Sequence, residues 1–446
     1  MKSLSKTEVF SIGLMMFSIF FGAGNLIFPP ALGQAAGEAL TPAIIGFLIT
    51  GVGLPLMGVV AIAVKGGDYP RFISEHVHPM FAIGLLGVLY LAIGPLFAIP
   101  RTGAVSFEIG ISPLLSAENM AVGQFVYTAF FFGLTYFLSL NPSKLISRIG
   151  KFLTPILLLF LVVLFVSAYA MPLSDVMEAT GIYAESPLLQ GFQDGYLTMD
   201  LLASLAVGAI VVNAVKAEGI EDYHAIGRIC IAGGLIAVFL MSLVYVSLGY
   251  LGATSRGVMG LSANGGIILA QAAHIFFGPL GNALLAVIIG LACLTTSIGM
   301  STACCGFFAE RVSGRISYRN LILMSTIFSF AASNIGLTGL IKISVPFLIA
   351  LYPVVIVLVV LTLLSEVVPF SNEVYRYSLG FTLAFSIFDG LNAANLQIAV
   401  INNLFMQYIP LYSLNLGWMC PAMLGALLGL IVTLIKGSGH MATDNN

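Results

Sequence analysis

Between Glu8 and Glu38 the chain carries no charged side chain, and comparable apolar runs recur along its whole length. Such runs are long, continuous and non-alternating. In hydrocarbon every backbone N–H and C=O must be satisfied within the segment, so a run of this kind folds as a helix and not as barrel strands. Fifty-nine per cent of the 446 residues are hydrophobic and 8% are charged, where an ordinary soluble chain has about a quarter charged. The expected fold class is therefore an all-α integral membrane protein.

Runs of about 17 to 25 apolar residues give twelve candidate spans, at 8–30, 41–64, 80–109, 121–140, 152–171, 190–215, 228–251, 278–308, 320–336, 343–365, 378–399 and 416–436. The stretch "SANGGIILAQAAHIFF", 262–277, has a helical pattern but is too short and polar to span, and reads as an extracellular loop helix. With the N-terminus inside, Lys2, Lys6, Lys65, Arg71, Lys144, Arg148, Lys151, Lys216, Arg228, Arg311, Arg315, Arg319, Arg376 and Lys436 fall on the cytoplasmic side. These are 14 of the 17 basic residues. The opposite loop at 172–187 holds Asp175, Glu178 and Glu185 and no basic residue. Basic residues accumulate on the inner side, so both termini are expected in the cytoplasm. The first segment is too long and interrupted for a signal-peptide core, no loop is long enough for a soluble domain, and the tail at 437–446 is polar.

The five cysteines have no paired extracellular spacing, which indicates neither a disulfide framework nor a transition-metal site. His76, His78, His224 and His274 read as solvated loop or helix-end residues. The chain has no HExxH, GxSxG or Walker pattern, so neither an enzyme nor an ATP-driven pump is supported. A net charge of −2 with scattered basic residues leaves no nucleic-acid footprint. The partners implied are lipid and a small molecule; the sequence sets no oligomeric state.

The first segment reads "FSIFFGAGNLIFPP" at 17–30, and it breaks where a lipid-facing helix should be continuous. Entering at Glu8 with a rise of about 1.5 Å per residue, it places Gly22, Ala23, Gly24 and Asn25 near the bilayer midplane. Paired glycines can simply permit close helix packing. The sixth segment, however, has its own small polar interruption at 204–208, near Asp200. Two interrupted helices at corresponding positions of segments one to five (8–171) and six to ten (190–365) point to inverted repeats with a binding site at their interface, followed by two further helices at 378–436. A restarting helix offers unpaired N–H groups and its positive end to a carboxylate, and the preceding carbonyls attract a cation or ammonium. A zwitterionic amino acid satisfies both. Candidate substrate contacts are Phe21, Gly22, Ala23, Gly24 and Asn25, with Leu202, Ser204, Leu205, Ala206 and Val207 from the sixth segment.

The eighth segment contains "LACLTTSIGMSTACC". A membrane Thr or Ser usually bonds back to its own helix, yet hydroxyls at Thr295 and Thr296 with the Ala292 carbonyl and the first-helix break could form an all-oxygen cage suited to Na⁺. Charges within spans are costly and functional by default. Arg101, Glu108 and Asp200 are expected near the outer mouth, with Arg101 pairing to Asp200 or Glu108 as a gate or a permanent ion pair. Asp389 in the eleventh segment has no assigned transport role.

"FGAGNLIFPP", "GPLFAIPRTGAVSFE" and "LTTSIG" together resemble the branched-chain amino acid:cation symporter family, the BrnQ-type carriers, over essentially the whole chain. The resemblance implies Na⁺-coupled uptake of leucine, isoleucine and valine across a bacterial cytoplasmic membrane. It also implies a leucine-transporter-type five-plus-five fold with broken helices one and six plus two helices, and no cofactor besides the coupling ion. In relatives of that fold one Na⁺ is held by carbonyls at the end of the first half-helix and by the eighth helix, which here implies Ser18, Phe21, Ala292, Thr295 and Thr296. Some related carriers use a fifth-helix lysine and protons instead; Lys151 stands only at the cytoplasmic end of the fifth segment, which favours Na⁺. The alternatives are a different small neutral amino acid, proton coupling, or, from another class, an ion channel built on freed carbonyls.

Overall fold

A computed structural model describes residues 5–140, 144–312, 315–396 and 398–443, with side chains except at 144–155, 157, 207 and 437–443. Lys144, Arg148, Lys151 and the polar tail thus lie outside the described side chains. Among the described residues the structure is all helical. The first half comprises α1 (Lys6–Phe20), α2 (Ala23–Ala36), α3 (Leu40–Leu48), α4 (Leu54–Val64), α5 (Tyr69–His76), α6 (Pro79–Leu91), α7 (Ala98–Gly110), α8 (Met120–Leu140) and α9 (Lys144–Ala170). The second comprises α10 (Pro187–Asp194), α11 (Asp200–Ala217), α12 (Tyr223–Met259), α13 (Gly265–Arg311), α14 (Tyr318–Ser333) and α15 (Leu337–Leu364). Then come α16 (Asn372–Ala393), α17 (Ala399–Tyr408) and α18 (Met419–Thr443).

A helix or helix pair stands at each expected segment. Seven stretches of the described residues are long and apolar enough to cross a membrane: Ala23–Val64, Pro79–Leu114, Ala117–Leu140, Tyr223–Met259, Gly265–Arg311, Leu337–Leu364 and Met419–Lys436. An eighth is formed if Asp200–Ala206 and Gly208–Ala217, bent by 49°, count as one. The short helix expected at 262–277 is present as the first arm of α13, which turns at Gly278 (φ 63°, ψ −155°) just before Pro279. The amphipathic α5 and the ten-residue α17 were not expected.

Burial follows apolar pattern. The peripheral α8 and α9 expose Val122, Phe125, Phe130, Leu159 and Val166, as lipid-facing surfaces require, whereas every residue from Ala23 to Pro30 at the start of α2 is buried. A helix enclosed on all sides has no solvent face to show, which is why α2 has apolar residues all round and its two polar side chains, Asn25 and Gln34, are themselves buried. The segment between α6 and α7 turns through a π-helical stretch, Ala92–Leu96, with Gly94 outside helical geometry at φ −94°, ψ −130°. Pro95 has no N–H to donate to the preceding turn, so the helix widens there.

Two packing groups emerge. The first joins α1 and α2 to α12, α11 to α4, and α10 to α3; the second joins α13 to α7 and α14 to α8; α2 also packs on α13 and so connects the two groups. Small residues permit the closest approaches within the first group: a Cβ added at Gly252 of α12 would lie 2.1 Å from the Pro30 carbonyl oxygen of α2.

Candidate functional site

The first segment is interrupted at Phe21 and Gly22, both extended, and helix resumes at Ala23. The N-cap is a glycine with no side chain to accept from the first-turn N–H groups, so those orphan donors and the positive helix end remain available inside the protein. Asn25, in the first turn of α2, takes the Gly22 N–H on its Oδ1 at 2.8 Å. Its Nδ2 donates to Asp200 Oδ2 at 2.6 Å and also to the Tyr245 hydroxyl, which itself donates to the same carboxylate oxygen at 3.3 Å. Asn25, Asp200 and Tyr245 are therefore one buried polar unit joining α2, α11 and α12.

The second interruption lies at Met199, which adopts left-handed geometry (φ 62°, ψ 13°) between a short helical turn, Gly195–Thr198, and α11. The sequence placed it at 204–208. The 49° bend between Asp200–Ala206 and Gly208–Ala217 falls within that stretch, so the segment departs from a straight helix there as well as at Met199. Ser204 is fully buried; its hydroxyl donates to Leu201 O at 2.7 Å, and a Cβ at Gly58 would lie 2.0 Å from its Oγ. The small residues of that stretch serve helix packing. Leu202 and Leu205 are likewise buried and, with Ser204 and Ala206, are not among the cavity-lining residues; the side chain of Val207 lies outside those described.

The two breaks face each other. A Cβ at Gly24 would sit 3.5 Å from both Cα and O of Thr198, and one at Gly22 would sit 3.8 Å from Thr296 Oγ1 on α13. Between them is a cavity of about 40 Å³ lined by Gly22, Ala23, Gly24 and Asn25 at the first break and by Thr198, Met199 and Asp200 at the second. Arg101 and Thr102 of α7 and Thr296 and Met300 of α13 also line it, with Ile19 and Phe20 at the end of α1 and Ala203 of α11. Of the five residues implied for the cation, Thr296 alone lines this cavity. Ser18 is exposed on α1, Phe21 is buried and stacks on Phe17 at 5.0 Å, and Ala292 and Thr295 stand one turn and one residue before Thr296. Both threonine hydroxyls donate to Ala292 O, at 2.9 and 3.0 Å, which leaves their lone pairs free to accept or ligate.

The expected pairing of Arg101 with Asp200 or Glu108 does not form. The ion pairs among the described residues, Lys65–Glu366, Arg71–Glu75, Arg311–Glu310 and Lys436–Glu373, include none of the three. Arg101 instead donates to Leu197 O at 2.6 Å and Ser344 Oγ at 3.1 Å, with its guanidinium 5.0 Å from the Phe28 ring centroid. Glu108 accepts from Asn264 Nδ2 at 3.5 Å, outside the cavity. The physical reason is that Arg101 meets the carbonyl end of the helical turn before Met199, while Asp200 begins the helix after it. Each charge is partly offset by a helix end of opposite sign. Asp389, fully buried in α16, accepts from the Trp418 N–H at 3.1 Å and ties α16 to the chain before α18. Tyr245, Thr198 and Met199 carry no signal in the sequence; the Gly-Pro of "GPLFAIPRTG" was the available hint that Ile93 and Ala98, beside the widened turn, also reach the cavity.

The architecture has counterparts among solved structures. It resembles Mhp1, described as a nucleobase-cation-symport-1 family transporter in a closed conformation with bromovinylhydantoin bound, with a TM-score of 0.56 at 12% identity, covering 97% of this chain and 93% of that one. The inward-facing conformation of Mhp1 gives 0.53 at 13% identity. The likeness is one of fold: a multi-pass helical bundle with two broken helices meeting at a buried cavity.

Residues 5–436 match the family described as branched-chain amino acid transport protein, and the chain belongs to it. It is 44% identical over 435 residues to the branched-chain amino acid permease BrnQ of Bacillus subtilis, covering 98% of this chain and 99% of the relative. It is 41% identical over 442 residues to the branched-chain amino acid transport system 2 carrier protein of Pseudomonas aeruginosa (99% and 100% covered), and 39% identical over 442 residues to BrnQ of Escherichia coli K12 (99% of each).

Proposed function

We propose that the protein carries leucine, isoleucine and valine into the cell across a bacterial cytoplasmic membrane by Na⁺-coupled symport, alternating access around the cavity with both termini inside. The observation that carries this reading is the convergence of the two helix breaks with Thr296 on one buried cavity. The first-turn N–H groups of α2 suit a carboxylate. The Thr296 hydroxyl beside the end of α1 supplies oxygen donors for a hard monovalent cation. The names of the relatives support the branched-chain substrate. Na⁺ would complete the site from the α13 side and favour binding of the amino acid.

The test is leucine uptake into proteoliposomes with and without an inward Na⁺ gradient, for wild type and Thr296→Ala. Uptake that requires Na⁺ and collapses in the folded variant supports both the couple and the ligand. A second reading, proton coupling, is favoured by one observation, the buried carboxylate of Asp200 in the cavity wall. Uptake driven equally by a pH gradient without Na⁺, and indifferent to Thr296→Ala, would decide for it.

A further inference from the structure

We propose that Arg101 and Asp200 are the two charged poles of the substrate site, Asp200 receiving the α-ammonium and Arg101 the α-carboxylate of a zwitterionic amino acid. The inference rests on reading the cavity as the amino-acid site, and adds the side chains that recognise the backbone-forming end of the substrate.

Both residues line the same cavity, and they are only 2% and 4% exposed. An isolated charge at such depth is expensive unless it is paired and hydrogen-bonded. Here two opposite charges share one cavity without pairing to each other or to any described residue. Asp200 accepts from Asn25 Nδ2 and the Tyr245 hydroxyl. Those donors are neutral, so the carboxylate has hydrogen bonds and no counter-charge.

Arg101 has the complementary deficit. A guanidinium has five N–H donors; Nη1 is engaged by Leu197 O and Nη2 by Ser344 Oγ, whereas Nε is buried without a partner. The edge containing Nε and one Nη is a fork that a carboxylate accepts in bidentate fashion. Helix ends moderate both charges, by about half a unit each: the carbonyl end at Leu197 faces Arg101, and the amide end of α11 carries Asp200. That explains how the charges persist apart and why each retains capacity for a ligand.

A zwitterion fits this arrangement better than any singly charged ligand. It delivers both counter-charges at once and adds no net charge to the membrane interior. A lone anion would satisfy Arg101 and be repelled by Asp200, and a lone amine the reverse. Discrimination against molecules lacking either group therefore follows from the cavity walls themselves.

The experiment measures binding to the purified full-length chain of three ligands with the same apolar tail: leucine, isocaproate, which lacks the ammonium, and isoamylamine, which lacks the carboxylate. Calorimetry or thermal-shift titration reads each directly, in wild type, Asp200→Asn and Arg101→Gln. Wild type should prefer leucine to both analogues. Asp200→Asn should lower the preference for leucine over isocaproate by about ten- to a hundredfold while keeping the preference over isoamylamine; Arg101→Gln should do the opposite. Asp200→Glu and Arg101→Lys, which keep charge, serve if the neutral variants do not fold, and should retain both preferences with weaker leucine binding. Equal losses for all three ligands, or unchanged preferences, would overturn the proposal and leave the amino-acid site standing. Wild type that binds no leucine would overturn the reading of the cavity and the proposal with it.

Discussion

Replacing Asn25 by alanine removes three hydrogen bonds at once, and their consequences can be separated. The Gly22 N–H loses its 2.8 Å acceptor, which leaves a partly buried donor unsatisfied at a cost of up to about 1–3 kcal/mol. Asp200 loses its 2.6 Å donor, a bond to a charged group worth about 1.5–3 kcal/mol. The Tyr245 hydroxyl still reaches Asp200, so the combined loss is roughly 2.5–6 kcal/mol at most and falls toward the lower figure as Tyr245 closes in. Thermal unfolding in detergent can be followed with a thiol-reactive dye, because Cys230, Cys293, Cys304 and Cys305 are buried and become reactive on unfolding. The melting temperature should fall, and leucine binding should weaken by about tenfold or more because the two half-helices lose their registration. Asn25→Asp separates the parts: it keeps an acceptor for Gly22 N–H but sets a second carboxylate against Asp200, so it should bind leucine worse than its melting temperature suggests. An Asn25→Ala protein with unchanged melting and unchanged leucine affinity would refute the reasoning, since the polar unit would then hold nothing in place.

Other perturbations test neighbouring contacts. Gly252→Val places a Cβ where 2.1 Å separates it from Pro30 O; α12 and α2 must part, at about 1–3 kcal/mol or more, and melting should drop. Gly299→Ala, where an added Cβ meets nothing within 4 Å, is the control and should leave melting unchanged or slightly raised, since alanine suits a helix interior better than glycine. Ser344→Ala removes the acceptor of Arg101 Nη2 at 3.1 Å. It should leave the protein folded and weaken leucine binding by about tenfold or more in direct titration, as the loss of one charge-assisted bond predicts.

The first-segment break was legible because its letters are wrong for lipid: two glycines and an asparagine inside an uncharged run cannot be explained by apolar composition. The second was legible in part: the 49° bend of α11 falls within 204–208, while the left-handed residue lies earlier, at Met199. Small residues at 204–208 read as an interruption, but Ser204 and Gly208 are small because α11 lies against Gly58 and Ile62 of α4. Methionine in left-handed geometry has no letter signature. What holds Met199 there is tertiary: Thr198 donates back to Gly195 O at 2.9 Å, and Arg101, nearly a hundred positions away in the chain, fixes the Leu197 carbonyl. The separation of Arg101 from Asp200 was hidden for a related reason. Letters record two opposite charges; whether they meet or are each satisfied by a different helix end depends on backbone direction at the break.

The placement of those charges on the two packing groups has a consequence for how the cavity works. Asp200, with Asn25 and Tyr245, belongs to the group of α1, α2, α4, α11 and α12, whereas Arg101 and Thr296 belong to the group of α7 and α13. α2 packs on α13 as well as on α12, and the cavity lies where the two groups meet. Its volume of about 40 Å³ has room for a few waters, at about 10–15 Å³ each on that measure, so an amino acid with a branched side chain enters only if the groups move apart. A ligand that holds Asp200 with one end and Arg101 with the other then spans the divide, and the same two contacts that recognise it also draw the groups together. An analogue lacking either charge could occupy the space but would not bridge it. Recognition of a zwitterion and closure around it are, on this geometry, one event.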